Sequence, residues 1–217
     1  MNALSKTGGD AKTQSGPLYL ICGTDEFEVS RRARHLVETL CPKEQQALGL
    51  EIVDAACDTI DEAVSAIRKC VDGLATVGFF GSEKVVWLRD ASFFNEGRPG
   101  KFEDVKNAVA TLTAEIKRGL MPGVTLVVSA SNVDKRTTFY KAVEKAGKVE
   151  AFNLPEKNYK WDEHAAEVLR NMLADAGLRA PVAVIRLIVE RAGNQSRQLS
   201  MEVEKLALYV GDRKEVK

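Results

Sequence analysis

Short apolar runs alternate with amphipathic segments along residues 17–153 of the chain. The apolar runs are rich in β-branched residues and predict strands at 18–22, 50–53, 84–88, 124–128 and 148–152. Between them, apolar residues recur in steps of three and four, which predicts helices near 26–40, 59–71, 102–116 and through Phe139 and Val143. Strands that alternate with helices favour a parallel sheet, so we expect an open three-layer α/β domain.

The pattern changes at a linker marked by Pro155. Beyond the linker, helical stripes include Trp161, Val184 and Leu199. Residues 182–189 also suit a strand, because buried β-branched residues favour both states, but the preceding Pro181 fits the first turn of a helix. We therefore expect a small all-helical domain over 154–217 and, before the α/β domain, a small and polar disordered arm at 1–16.

Charge and composition exclude several classes of protein. Lysine plus arginine total 31 and aspartate plus glutamate total 31, so bulk charge does not favour autonomous DNA binding, although a local basic patch stays open. The start of the chain lacks the apolar core of a signal peptide, and no apolar run reaches the length of a membrane span. We expect a cytoplasmic protein without a membrane partner.

The cysteines do not have the spacing of a metal site. Cys22, Cys41, Cys57 and Cys70 form no C-x-x-C pair, and the chain has only two histidines. We therefore predict no zinc, and reduced thiols that pack as small apolar side chains.

The turn after the first strand is where a phosphate-binding loop would lie. A P-loop needs glycines, a lysine and a hydroxyl, but residues 23–29 hold one glycine, no lysine and three carboxylates. The third strand ends near Asp90 without the paired acids that hold magnesium, so we expect Asp90 to be a strand-end cap. Other catalytic motifs are also absent, and His35 and His164 read as solvated or capping residues. The residues predict no ATP site, no cofactor and no catalysis.

Four stretches, taken together and in order, carry a family resemblance. They are residues 18–27 with Gly23, Asp25 and Phe27; residues 78–86 with Phe79, Phe80, Val85 and Val86; residues 133–136 with 141–142; and residues 199–209 with Leu199, Glu202, Lys205, Leu206 and Tyr209. Over residues 17–210 they resemble the delta subunit family of the bacterial DNA polymerase III clamp loader. At Lys84 this chain departs from the family, where arginine is common.

The resemblance implies a fold and a set of partners. It implies an AAA+-like α/β domain at 17–153 with a lost nucleotide site, a helical lid at 154–217, and a third, collar domain that would begin where this sequence ends. It also implies a hetero-oligomer with other loader subunits, contact with DNA only inside the assembled loader, and membership of a DNA-directed DNA polymerase holoenzyme, a nucleotidyltransferase. The delta subunit would open the ring-shaped sliding clamp, the beta subunit, without hydrolysing ATP.

The resemblance also assigns candidate site residues. A hydrophobic wedge before the third strand would bind the clamp through Val77, Phe79 and Phe80, with Leu74 beside them. From the residues alone, Phe79 and Phe80 suit core positions at the foot of a strand equally well.

A second assignment concerns DNA. Lys135 and Arg136 are expected to start a helix, where they would contact duplex phosphates or form a plain solvated helix start. Phe93 and Phe94 are expected to be packing residues.

Two other functions stay open at this point. One is a nucleotide hydrolase with an atypical phosphate loop, which a measurable ATP affinity would favour. The other is a generic α/β interaction scaffold, which clamp binding unchanged by replacing Phe79 and Phe80 would favour.

Overall fold

The computed structural model describes residues 16–76 and 83–216. Its strands are β1 (Leu18–Cys22), β2 (Leu50–Asp54), β3 (Lys84–Ala91), β4 (Val124–Ala130) and β5 (Lys148–Ala151). Its helices are α1 (Glu26–Leu40), α2 (Gln46–Gly49), α3 (Ile60–Leu74), α4 (Glu103–Arg118), α5 (Thr138–Ala146), α6 (Trp161–Asp175), α7 (Val182–Ala192) and α8 (Ser196–Val210). The alternation expected from the sequence is confirmed, whereas the short α2 was not foreseen.

The five strands form one parallel sheet in the order β2-β3-β4-β1-β5. Every residue of β4 is buried, which fits a strand at the middle of a sheet that is covered on both faces. β1 lies between β4 and β5, so the turn that follows β1 emerges near the centre of the carboxyl edge of the sheet.

Helices cover both faces, which confirms the three-layer arrangement. On one face, Val29, Ala33 and Val37 of α1 pack against Ile21 and Val127 of the sheet. On the other face, α3, α4 and α5 pack against the alternate residues of the same strands. This second face includes Leu20, Val53, Leu88, Leu126, Ile67, Leu112 and Val143. The period-two alternation of strand side chains thus sends each residue to one of two separate cores.

Helices α6, α7 and α8 share a separate apolar cluster. It is formed by Leu169, Met172, Ile185, Val189, Leu199 and Val203, among others. Pro181 is the N-cap of α7, with extended backbone, so the segment that could have been a strand is a helix as expected. Phe27 of α1 packs against this cluster and is the point at which the α/β part contributes to the helical core. Among the residues the structure describes, none of the helices has the length and apolarity that crossing a bilayer requires.

The four cysteines are buried and free, as expected for small apolar side chains. Burial raises the pKa of the Cys57 thiol to about 11 and that of Cys70 to about 12. Nearby carboxylates add to the effect at Cys57, and Glu51 adds to it at Cys70. Phe93 and Phe94 are buried, and the Phe94 ring stacks on Phe139 with centroids 4.0 Å apart, so their packing role is confirmed.

The buried sheet predicts a large difference between two chemically identical substitutions. Leu126→Ala, in the centre of β4, should lower the free energy of unfolding by about 2–5 kcal/mol, because it leaves a cavity in a close-packed core. Leu48→Ala, at a side chain that is 66% exposed, should cost less than about 0.5 kcal/mol. Urea unfolding followed by circular dichroism measures both, and similar losses would contradict the packing described here.

Candidate functional site

The turn after β1 is closed by the carboxylate of Asp25, which is only 5% exposed. Its Oδ1 accepts a hydrogen bond from the backbone N–H of Glu28 at 3.1 Å and so caps α1, as the sequence predicted. Its Oδ2 accepts a hydrogen bond from the hydroxyl of Ser196, at the first residue of α8. The amino end of α1, which would face a phosphate in a nucleotide-binding protein, therefore holds a carboxylate of the chain itself.

Gly23 is needed for a close backbone approach at this turn. Its φ is +145°, and a Cβ built on it would lie 1.9 Å from the carbonyl oxygen of Phe152. The same carbonyl accepts a hydrogen bond from Asp25 N–H at 3.0 Å, and Phe152 N–H donates to Cys22 at 2.8 Å. The one glycine of the turn thus lets β1 and the end of β5 meet, which is a different purpose from cradling a phosphate.

A second contact joins α1 to the helical part. Arg31 donates from Nε to Glu28 Oε1 at 2.9 Å and from Nη1 to Asp175 Oδ2 at 2.8 Å. Burial lowers the pKa of the Arg31 guanidinium, but these carboxylates outweigh it and the net pKa is raised. Glu28 is buried, and Asp175 is the last residue of α6. Two of the three carboxylates in the turn are therefore engaged in contacts of the chain itself.

Asp90 is not the strand-end cap that the sequence suggested. β3 continues to Ala91, and Asp90 sits at an irregularity in its pairing with β4, with a left-handed φ of +56°. Its N–H donates to the hydroxyl of Ser129 at 2.9 Å, and that hydroxyl also accepts from the Trp87 indole at 3.1 Å. The residue holds β3 against β4. Within 16–76 and 83–216, no three His, Cys, Asp or Glu side chains are grouped as metal ligands.

At the amino edge of the sheet, Lys84 contacts residues that precede the segment 77–82, which contains the predicted wedge. Its ammonium donates to the carbonyl of Gly73 at 2.8 Å and to the hydroxyl of Thr76 at 2.5 Å. It also lies 2.8 Å from a carboxylate oxygen of Glu51 on β2, and its side chain is only 10% exposed. Because Gly73 and Thr76 precede residues 77–82 and Lys84 follows them, one buried ammonium holds both ends of that segment.

Of the four predicted wedge residues, the structure places one. Leu74 is the last residue of α3 and is buried in the core, so its side chain faces inward. Val77, Phe79 and Phe80 lie outside the described residues. The Thr76 hydroxyl donates to Gly73 at 3.1 Å while it accepts from Lys84, which fixes the chain immediately before Val77.

Lys135 and Arg136 lie in a turn between β4 and α5 and do not start a helix, so that expectation is wrong, since α5 begins at Thr138. The N-cap is Thr137, whose hydroxyl accepts from Tyr140 N–H at 3.3 Å. Both basic side chains are exposed. Arg136 forms an ion pair with Asp134 at 2.8 Å, and this hydrogen bond holds the pKa of Asp134 at about 2.

A parallel sheet in this order, with helices on both faces and a helical unit after it, is an AAA+-type fold. Among the described residues, the turn after β1 holds carboxylates and no lysine. Residues 19–153 match the family model described as DNA polymerase III, delta subunit. The chain belongs to this family, and the resemblance noted in its sequence is confirmed. No curated protein sequence is significantly similar to the chain.

Solved structures agree at the level of the fold. The clamp loader delta protein of Bacillus subtilis matches with a TM-score of 0.63 and 17% identity over 93% of this chain. A DNA polymerase III gamma subunit-related protein of Thermotoga maritima matches with a TM-score of 0.50 and 14% identity over 90% of this chain. The chain spans 56% and 54% of the length of these two proteins.

The sequence did not reveal the contacts of Lys84, Ser196 and Asp175. Lys84 stood out only because arginine is common at its position in the family, and that departure was the one signal available. Ser196 and Asp175 are ordinary polar residues at helix ends, and their contacts with α1 cross more than a hundred residues of sequence. Local patterns carry no information about such pairs.

The contacts of the buried Lys84 ammonium, here called the Lys84 anchor, predict that this side chain contributes more to stability than an exposed lysine does. Lys84→Met should lower the free energy of unfolding by about 1–3 kcal/mol, because it removes the hydrogen bonds of a buried ammonium to Gly73 and Thr76 and its ion pair with Glu51. Lys84→Arg should recover most of this loss, since its guanidinium can donate to the same oxygens.

The matched control is Lys69→Met on the exposed side of α3, which should change stability by less than about 0.5 kcal/mol. Urea unfolding measures the free energy of unfolding of all three variants. A Lys84→Met loss equal to that of the control would show that the ammonium does not hold the segment.

Proposed function

We propose that the chain binds the sliding clamp of its replication machinery through residues 77–80 and opens the ring without hydrolysing ATP itself. Membership of the delta subunit family is the observation that carries the proposal. The contacts of Lys84 support it, because they fix the chain on both sides of the segment that contains Phe79 and Phe80. A partner would then meet a segment whose ends need no further ordering, which lowers the entropic cost of binding.

The residue types suit a wedge. Two adjacent phenylalanines offer a large apolar area with few rotamers to freeze, and each buried ring contributes about 1.5–3 kcal/mol. Anchors of this kind, seated in a pocket of the partner, carry most of the energy of many interfaces. Val77 would extend the apolar contact. Leu74, which faces the core, would act by holding the end of α3 in place rather than by touching the clamp.

Ring opening by this route needs no chemistry from the chain. A protein that binds the open clamp more tightly than the closed one shifts the equilibrium by the difference in binding free energy. The carboxylate of Asp25 at the amino end of α1 supports a non-catalytic role, because it repels phosphate from that position. ATP would be handled by other subunits of the loader, within a DNA-directed DNA polymerase holoenzyme in the cytoplasm.

The proposal also includes two domains and a contact with DNA. The α/β part would be one domain, at 17–153, and the helical lid the next, at 154–217. Within the assembled loader, Lys135 and Arg136 would contact duplex phosphates. Lys135 is the stronger candidate, because Arg136 would have to leave Asp134 to do so.

Because the Asp25 carboxylate lies at the amino end of α1, we predict that adding nucleotide leaves the free energy of unfolding unchanged. A site with a Kd of about 10 µM would raise the free energy of unfolding by about 2.7 kcal/mol at about 1 mM Mg-ATP. We expect no change in the thermal midpoint, and the same midpoint with ADP. A concentration-dependent increase would contradict the proposal and favour a nucleotide hydrolase.

The wedge predicts nucleotide-independent clamp binding. Calorimetry with the clamp of the same organism should give micromolar affinity or better, and Phe79→Ala with Phe80→Ala should weaken it by at least about 100-fold, because two buried rings are lost. The control is Tyr159→Ala, at an aromatic side chain in the helical part that is 74% exposed, which should bind like the unchanged chain.

Two results would count against the wedge. Equal binding by the folded double variant would move the contact elsewhere on the chain. Absence of clamp binding by a folded sample of the unchanged chain would favour a generic scaffold. The urea unfolding curve of each variant, measured beside the titration, separates loss of contact from loss of fold.

A further inference from the structure

Two exposed apolar side chains lie at the amino edge of the sheet. In the described part of the α/β unit, the large apolar side chains that are exposed are those of Leu48, Ile52 and Met121. Leu48 lies two residues before β2 begins and is 66% exposed, and Met121 lies three residues before β4 begins and is 40% exposed. Because the strands are parallel, both residues belong to the edge at which β3 also begins.

The start of β3 lies between these two side chains. β3 is paired with β2 on one side and with β4 on the other, and neighbouring strands are about 4.8 Å apart. Next to Leu48, a Cβ built on Gly49 would lie 3.3 Å from the carbonyl oxygen of Glu83. Glu83 directly follows the segment 77–82, so Leu48 borders the carboxyl end of the segment that contains the proposed wedge.

The same segment is bordered by the turn of Met121 on its other side. Lys84 N–H donates to the carbonyl of Gly123 at 2.8 Å, two residues after Met121. The residues that enter β3 therefore pass between the loop before β2 and the loop before β4. A partner that engages residues 77–80 has to approach this edge, where it meets both loops.

The backbone holds each of the two side chains in place. Leu48 N–H donates to the carbonyl of Gln45 at 3.2 Å, within the single turn of α2. The carbonyl of Met121 accepts the N–H of Val124 at 3.0 Å, and the preceding Leu120 is buried. Both exposed side chains thus stand on ordered backbone, so a partner would meet them without the cost of ordering a loop.

The three loops at this edge share an absence of charge. Residues 45–49, 77–82 and 119–123 contain no Asp, Glu, Lys or Arg, although these types make up 29% of the chain. Depletion of charged residues distinguishes the buried centre of a protein interface from the rest of a protein surface. Single exposed apolar residues need no explanation, but apolar residues on both sides of a binding segment, in uncharged loops, form a continuous contact surface.

We propose that the sliding clamp contacts Leu48 and Met121 as well as residues 77–80. This inference rests on the clamp binding proposed above and extends it from one segment to three loops, here called the amino-edge surface. The clamp would seat the two phenylalanines in a pocket and place the apolar rim of that pocket against Leu48 on one side and Met121 on the other. The flexible thioether of methionine suits such a rim, because it adapts to the shape of its partner.

The two flanking side chains have a different task from the wedge. Contacts around a buried anchor keep water away from it and contribute less energy than the anchor itself. Leu48 and Met121 would therefore act by closing the interface around the phenylalanines. An aspartate at either position would have to be desolvated without a partner as the clamp binds, which makes it a sensitive probe.

The test measures clamp binding by calorimetry with two matched pairs of substitutions. Leu48→Asp with Met121→Asp should weaken the affinity for the clamp of the same organism by about 10-fold or more. The control is Leu208→Asp with Met201→Asp, at exposed residues of the same types on α8, which should change the affinity by less than about 2-fold. Both pairs add the same charge to the chain, so attraction or repulsion at long range is equal in the two.

A second set of variants removes apolar area without adding charge. Leu48→Ala and Met121→Ala should each weaken clamp binding by about 3-fold or more, whereas Leu208→Ala should not change it. Removal of residues 1–15 should also leave the affinity unchanged. Urea unfolding curves of all variants establish that each is folded.

The outcomes separate this inference from the proposal on which it rests. If the unchanged chain does not bind the clamp, both fail. If Phe79→Ala with Phe80→Ala abolishes binding while Leu48→Asp with Met121→Asp binds like the α8 control, the wedge stands and the amino-edge surface is wrong.

Three further results would overturn the amino-edge surface. Equal weakening by the two aspartate pairs would indicate general repulsion. Tighter clamp binding after removal of residues 1–15 would indicate that these residues cover the surface. Self-association in sedimentation that Leu48→Asp with Met121→Asp abolishes, with clamp binding unchanged, would assign the surface to a second copy of the chain.

Discussion

The carboxylate of Asp25 determines much of how this molecule is built. It caps α1 with one oxygen and accepts a hydrogen bond from Ser196 of α8 with the other, so a single buried group organises the turn after β1 and ties the helical part to it. A buried carboxylate is tolerated only where donors satisfy it, and both donors come from helix ends. The position that could have received a phosphate is thereby used to join two parts of the chain.

The sheet places this junction and the Lys84 anchor at opposite edges. β1 ends at the turn of Asp25, whereas β3 begins at Lys84, and parallel strands carry these two ends to the carboxyl and amino edges respectively. In both places a buried charge is paired with groups from elements distant in sequence. Such pairs add little net stability compared with apolar packing, but removing one partner is costly, so they fix geometry.

This arrangement suits a protein that acts by shape. The contacts of Asp25 with Ser196 and of Arg31 with Asp175 connect the helical part directly to α1. Thr76 and Lys84, on either side of the proposed clamp-binding segment, are joined at the amino edge of the sheet. The close-packed sheet supports this contact, because a dense core resists deformation.

The sequence by itself determined the succession of strands and helices along the chain, the helix rather than a strand at 182–189, and the lack of a phosphate-binding sequence in the turn after β1. These features follow from local periodicity, from Pro181 and from the charges around Asp25, which act over a few residues. The resemblance of its motifs was sufficient to identify the family. Its site residues remain predictions, because Val77, Phe79 and Phe80 lie outside the described residues.

Only the tertiary structure decided which polar residues meet. In the structure, Asp25 contacts Ser196, and Lys84 contacts Glu51. Leu74 is buried, and Asp90 lies within β3 rather than at its end. Helices α4 and α5 lie together around Phe94 and Phe139. These outcomes depend on how the sheet aligns strands that are far apart in the chain. A local pattern of apolar and polar residues specifies which face of an element is buried, but not which partner will cover it.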